Sequence, residues 1–165
     1  MQKLQKNVYI KEQNMSVISD EFILLNTKFT SRDEAFKGAA LKLYNAGRIT
    51  DINKFIEGIY EREKLFSTYM ENGIAIPHCK IKEVKEATVV IIRNSKPLVW
   101  QNEEIANIMI ILAIPAENPD NIHLRILANI AQALLNKDFV DVIKNTNNAE
   151  AIIDKFRVIN SVSNN

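Results

Sequence analysis

The chain carries two histidines, and both stand where an imidazole can be aimed. His78 closes the segment Gly73-Ile74-Ala75-Ile76-Pro77. Proline fixes its own φ and restricts the residue before it, so the backbone entering His78 is stiff. A neutral imidazole, with an ordinary pKa of about 6.5, is nucleophilic and suits reversible phosphoryl transfer. His123 falls in the first turn of an expected helix that follows a long apolar strand. Strand ends and helix N-termini offer unpaired N–H donors to an anion. Arg62 completes the set, because a guanidinium grips phosphate oxygens with two donors at once. Positioning and electrostatics supply most of the catalysis in phosphoryl transfer, and these three residue types provide both.

Each residue also has a plain structural reading. A lone histidine is more often structural than chemical, and Glu61-Arg62-Glu63-Lys64 in isolation is a solvated helix face. Cys79 beside His78 suggests a thiol nucleophile or a metal ligand. Neighbours in an extended segment point opposite ways, however, and three soft donors are one short of a closed zinc site. Trp100 and the Leu/Ile stripes read as core.

The positioning elements follow from pattern. Phe22 to Leu25 reads as a strand. Ser31 with Glu34 three residues on forms a capping box that opens a helix. Ala35, Phe36, Ala39, Ala40 and Leu43 share its buried face, and Gly47 ends it. A second helix opens at Asp51, with Ile52, Phe55, Ile56 and Ile59 at helical spacing, and runs through Glu63. Residues 87–92 are β-branched and read as a strand, with a short partner strand at 98–100. Residues 105–114 are nearly all apolar, the mark of a central strand covered on both faces. Pro115 ends it, and Asn118-Pro119-Asp120 turns the chain into a helix capped by Asp120 or Asn121. Leu124, Leu127, Ala128, Ala131, Leu134 and Leu135 are its expected buried stripe. Shorter helices follow at 139–143 and 149–158, the last capped by Asn147 or Asn148. The expected fold is α/β, a three-layer sandwich with a mixed central sheet between helices. Residues 1–16 are expected as a flexible leader, 17–160 as a single domain and 161–165 as a frayed tail.

Composition narrows the function. With 165 residues, 47% of them hydrophobic, the chain can bury a core without disulfides or a structural metal. Twenty-one basic against 20 acidic residues leave a net charge of +1, which predicts neither a nucleic-acid nor an anionic-membrane surface. A single cysteine excludes an internal disulfide framework and suits a reducing cytosol. The polar N-terminus lacks a signal peptide's apolar run, and the longest apolar stretch is far short of the roughly 20 residues that span a bilayer. A cytoplasmic protein without membrane insertion is expected.

Glu61-Arg62-Glu63-Lys64, then Asn72-Gly73-Ile74-Ala75-Ile76-Pro77-His78, resembles the phosphorylation-site motif of the mannitol/fructose-type enzyme IIA family of sugar phosphotransferase systems. Pro97-Leu98-Val99-Trp100, Leu112-Ala113-Ile114-Pro115 and His123-Leu124-Arg125-Ile126-Leu127-Ala128 match the rest of that pattern in order. The resemblance covers about residues 20 to 158. It implies that His78 accepts phosphate from the phosphocarrier protein HPr and gives it to an enzyme IIB component. It implies that His123 is the second active-site histidine and that Arg62 helps bind the phosphoryl oxygens. The implied fold is a mixed sheet between helices, and no metal or organic cofactor is expected. Many members have glycine after the histidine, whereas Cys79 stands here, a variant similar to galactitol-type components and to regulatory domains.

Two functions compete. One is a transport-coupled phosphocarrier. The other is a phosphorylation-controlled regulatory domain, which the absence of any helix-turn-helix or RNA-binding segment disfavours. Transient docking predicts a modest apolar patch around His78, with Asn72, Lys80 and Asn121 as rim positions and an interface below about 1,200 Å².

Overall fold

In the computed structural model, which describes residues 17–117 and 121–162, the capping box forms almost as its spacing requires. Ser31 Oγ accepts from the Glu34 N–H at 3.2 Å, and Glu34 Oε2 reaches back to the Thr30 N–H at 2.7 Å. That bond holds the exposed Glu34 carboxyl below its ordinary pKa. Helix α1 (Arg32–Asn45) buries the five residues expected of it and ends at Gly47, whose φ is +72°. Helix α2 (Ile52–Leu65) opens on Asp51, whose carboxylate accepts from the Lys54 N–H at 2.9 Å. The expected leader and most of the expected tail lie outside the described residues, as does the Asn118-Pro119-Asp120 turn.

Five strands form one mixed sheet: β1 (Ile23–Thr27), β2 (Ile74–Ala75), β3 (His78–Ile81), β4 (Thr88–Val99) and β5 (Ile105–Pro115). Strand β5 is central. It pairs antiparallel with β4 on one side and parallel with β2 and β3 on the other, and β1 lies parallel outside β4. The two strands expected at 87–92 and 98–100 are one strand, β4, with a register irregularity between Arg93 and Leu98. Pro97 lies in that irregularity and cannot donate to the ladder. Buried Asn94 occupies it as well, donating to the carbonyls of Phe29 and Lys96 at 2.9 and 2.8 Å and accepting from the Phe29 N–H.

Strands β2 and β3 have no counterpart in the sequence reading. Ile74 faces Ile108, and four residues on His78 faces Leu112, also four residues on, so pairing stays in step across the break at Ile76-Pro77. Helices α1 and α2 pack on one sheet face, where Phe36, Phe55, Ile59 and Trp100 join Val90, Ile92, Met109, Ile111, Ala113 and Cys79 in one core. Phe36 meets Tyr60 and Trp100 edge-on, with ring centroids 5.3 and 5.5 Å apart. On the opposite face Ile108, Ile110, Leu112 and Ile114 are buried too, as a doubly covered strand requires. The α/β class and mixed sheet are those expected.

The strands and first two helices form one compact unit. The second holds residues 17–20 with α3 (Ile122–Ala133), α4 (Lys137–Asn145) and α5 (Ala149–Val162). Phe139 and Phe156 join α4 to α5 with centroids 5.4 Å apart. Helix α4 starts two residues earlier than expected, capped by Asn136 Oδ1 on the Phe139 N–H at 3.2 Å. Asn148 caps α5 through the Glu150 N–H at 3.0 Å. The stripe expected for α3 is corrected: Ile126, Ile130 and Ala133 are buried, while Leu124 and Leu135 are 56% and 87% exposed. Apolar residues occupy more than one side of this helix, so spacing alone left its phase ambiguous.

Candidate functional site

His78 is the first residue of β3 and is half-buried. The peptide before it is anchored by the Leu112 N–H, which donates to the Pro77 carbonyl at 3.0 Å. Its Nδ1 lies 2.9 Å from the Ile76 carbonyl oxygen. A carbonyl only accepts, so Nδ1 is the nitrogen that bears hydrogen in this bond, and the neutral ring keeps its nucleophilic lone pair on Nε2. The stiffness read from Pro77 thus extends to the ring itself.

Strand alternation sends Cys79 to the opposite face, against α2, where its Sγ lies 3.8 Å from the Phe55 carbonyl. Burial pushes its thiol up to about 12, with the nearby Glu83 charge adding to the effect. Burial on the face opposite His78, with the thiol seldom ionised, argues against both the nucleophile and the ligand role. Gly58 permits this close packing: a Cβ there would stand 3.1 Å from the Cys79 Cβ.

Arg62 and Glu63 occupy the last turn of α2. Arg62 is half-buried, and its Nη1 donates to the Phe66 carbonyl at 2.6 Å. Glu63 is only 4% exposed. Its Oε2 accepts from the Thr68 N–H at 3.1 Å and the Trp100 Nε1–H at 3.2 Å, and its Oε1 accepts from the Thr68 hydroxyl. The Thr68 carbonyl in turn accepts from the Ile76 N–H at 3.0 Å. Reading Glu-Arg-Glu-Lys as a solvated face holds for Glu61 and Lys64, an exposed pair at 3.3 Å, and fails for Glu63. Glu63 stands in phase with Phe55 and Ile59, at successive spacings of four, and that periodicity was the available signal.

The turn into β2 is made by Asn72 and Gly73, with φ of +59° and +77°. The Gly73 carbonyl accepts from the N–H groups of Asn107 and Ile108 at 3.0 and 3.1 Å, docking the turn on β5. The left-handed backbone calls for glycine, and a Cβ there would also push aside the Asn107 Oδ1, 2.8 Å away.

His78 is thus tied through Ile76 and Thr68 to Glu63, the residue beside Arg62, while Arg62 itself holds the Phe66 carbonyl. His123 belongs to the other unit, as the second residue of α3, and is half-buried. Asn121 precedes that helix in the left-handed region, at φ +50°, and its side chain makes no capping bond. The three rim positions, Asn72, Lys80 and Asn121, are exposed.

Comparison with known proteins matches residues 16–158 to the family model described as "Phosphoenolpyruvate-dependent sugar phosphotransferase system, EIIA 2". The chain is 34% identical over 115 residues to the PTS system 2-O-alpha-mannosyl-D-glycerate-specific EIIABC component of Escherichia coli (strain K12). That alignment takes in 68% of this chain and 18% of the relative, so the chain spans less than a fifth of that protein. The mannitol-specific phosphotransferase enzyme IIA component of Staphylococcus aureus (strain Mu50 / ATCC 700699) is 30% identical over 147 residues, covering 85% of this chain and 94% of that one. The crystal structure of nitrogen regulatory protein IIA-Ntr from Neisseria meningitidis superimposes with a TM-score of 0.77 at 26% identity, covering 86% of this chain and 97% of that one.

Proposed function

Because the chain belongs to the EIIA 2 family of the phosphoenolpyruvate-dependent sugar phosphotransferase system, we propose that His78 is its phosphoacceptor, taking the phosphoryl group from HPr and passing it to an EIIB component. Proteins of this family are phosphotransferase components, and the sequence motif around His78 is the one that resemblance ties to phosphorylation. The observation that carries the reading is the bond from His78 Nδ1–H to the Ile76 carbonyl. It leaves the lone pair on Nε2, the nitrogen that in this reading attacks phosphorus. The Nε2–P bond forms as the bond from phosphorus to the donor breaks, and Nδ1 keeps its proton. The ring gains positive charge in that step, and the Ile76 carbonyl then accepts a charge-assisted, stronger bond.

In this reading Arg62 meets the phosphoryl oxygens. Its bond to Phe66 uses one of five guanidinium donors and sets the fork's direction. His123 orients and stabilises the phosphohistidine. The EIIB acceptor draws support from the Escherichia coli relative, whose name joins A, B and C components in one protein. Among the described residues no helix is long and apolar enough to cross a membrane, and a cytoplasmic location is part of the proposal. So is the single domain over residues 17–160.

The test is phosphotransfer in vitro. The pure chain is incubated with phosphoenolpyruvate, enzyme I and HPr, and acid-labile phosphate is mapped by mass spectrometry at neutral or alkaline pH. Phosphate on His78 that disappears when HPr is omitted is the expected result, and phosphate elsewhere refutes the site. Likeness to the nitrogen regulatory protein favours a second reading, a regulatory module. Phosphorylation at His78 with no transfer to any cognate EIIB would select it.

A further inference from the structure

Glu63 is a carboxylate placed where an apolar side chain would pack with less desolvation, in phase with Phe55 and Ile59. What an apolar residue could not do is hold both the N–H and the hydroxyl of Thr68. Those two bonds fix Thr68, whose carbonyl fixes the Ile76 N–H, and Ile76 supplies the carbonyl that holds His78 Nδ1. The far side of Glu63 is equally rigid. The Trp100 indole that donates to it lies under the Arg32 guanidinium, 5.6 Å from the ring centroid, and meets Phe36 edge-on.

We infer that Glu63 is a positioning residue for the phosphoacceptor: by anchoring Thr68 it holds the backbone of Ile76 at its N–H, restrains the carbonyl that follows, and so selects the Nδ1–H tautomer and the aim of the His78 ring. The inference rests on the reading of His78 given above. Glu63 never touches phosphorus. It sets the frame for a bond that must be aligned before transfer.

The experiment uses the full chain, with Glu63→Gln, Thr68→Val and Thr68→Ser. Ring ¹⁵N shifts of His78 report how the proton is shared between Nδ1 and Nε2. The wild type and Thr68→Ser, which keeps the hydroxyl, are expected to show the Nδ1–H pattern. Glu63→Gln and Thr68→Val are expected to shift it toward a mixture and to slow phosphoryl uptake from HPr about tenfold, in kcat rather than KM. If Glu63→Gln does not fold, the Thr68 pair decides. Unchanged ring shifts in Glu63→Gln and Thr68→Val would overturn the inference, as would slowing that only tracks the unfolded fraction. The shifts are read on unphosphorylated protein. They therefore judge Glu63 even where His78 takes no phosphate, an outcome that would instead sink the phosphoacceptor reading.

Discussion

The indole Nε1–H of Trp100 donates to Glu63 Oε2 at 3.2 Å, joining the residue just past the end of β4 to the last turn of α2. Two side chains that look unrelated in sequence thus share one buried bond. Glu63 stands next to Arg62, which holds the Phe66 carbonyl, so two adjacent residues grip the same short loop at Phe66 and Thr68. Phosphoryl transfer depends on rigid alignment as well as on electrostatics.

Removing the acceptor nitrogen comes first. His78→Ala is expected to take no phosphate from phosphorylated HPr while keeping its fold, since the imidazole is half-buried at a strand edge. Intact-mass spectrometry checks this, and a persisting phosphate adduct would contradict the assignment.

His123→Ala should behave differently. The variant is expected to accept phosphate, more slowly than wild type, and to transfer it poorly to EIIB. Single-turnover kinetics of the two half-reactions test the claim. Onward transfer at the wild-type rate would remove the role given to His123.

Stability should fall on the alkaline side. Burial raises the Cys79 thiol from 9.0 to about 12, and burial with the Asp33 bond raises the Tyr60 hydroxyl from 10.0 to about 12. Both groups release protons more readily unfolded, so the stability they contribute is present below pH 9 and lost as pH climbs from 9 toward 12. Urea melts at pH 8 and pH 10.5 measure the slope, which should flatten in Cys79→Ala. Thiol labelling of the native protein at pH 8 should be slow and become fast in denaturant.

Gly73→Ala should cost about 2 kcal/mol, chiefly from the left-handed backbone. For a chain of this size that lowers Tm by about 4–8 °C. A thermal melt unchanged from wild type would show that the turn relaxes at no cost.

Much of this architecture was legible before the structure. Ser31 and Glu34, Asp51, and the apolar run of β5 announced themselves because capping and double-sided burial leave strong local patterns. Strands β2 and β3 did not. Two residues and four residues separated by a proline are too short to show a period, and only pairing with β5 makes them strands. The fusion of two expected strands into β4 was hidden by Pro97 and Asn94, which look like a turn and serve as an irregularity within one strand. At the site, His78 and Arg62 stood out by residue type. Glu63 did not, because a carboxylate between Arg62 and Lys64 looks solvated until Thr68 and Trp100 close over it.

Trp100 is the chain's one tryptophan. Its ring lies between a guanidinium over its face and a carboxylate at its nitrogen, so opposite charges flank a single chromophore. Emission excited at the red edge of the absorption band, beyond the reach of the four tyrosines, therefore comes from the clamp that frames His78. Loosening of that clamp, by substitution or by a docking partner, becomes a change of colour and brightness in unlabelled protein.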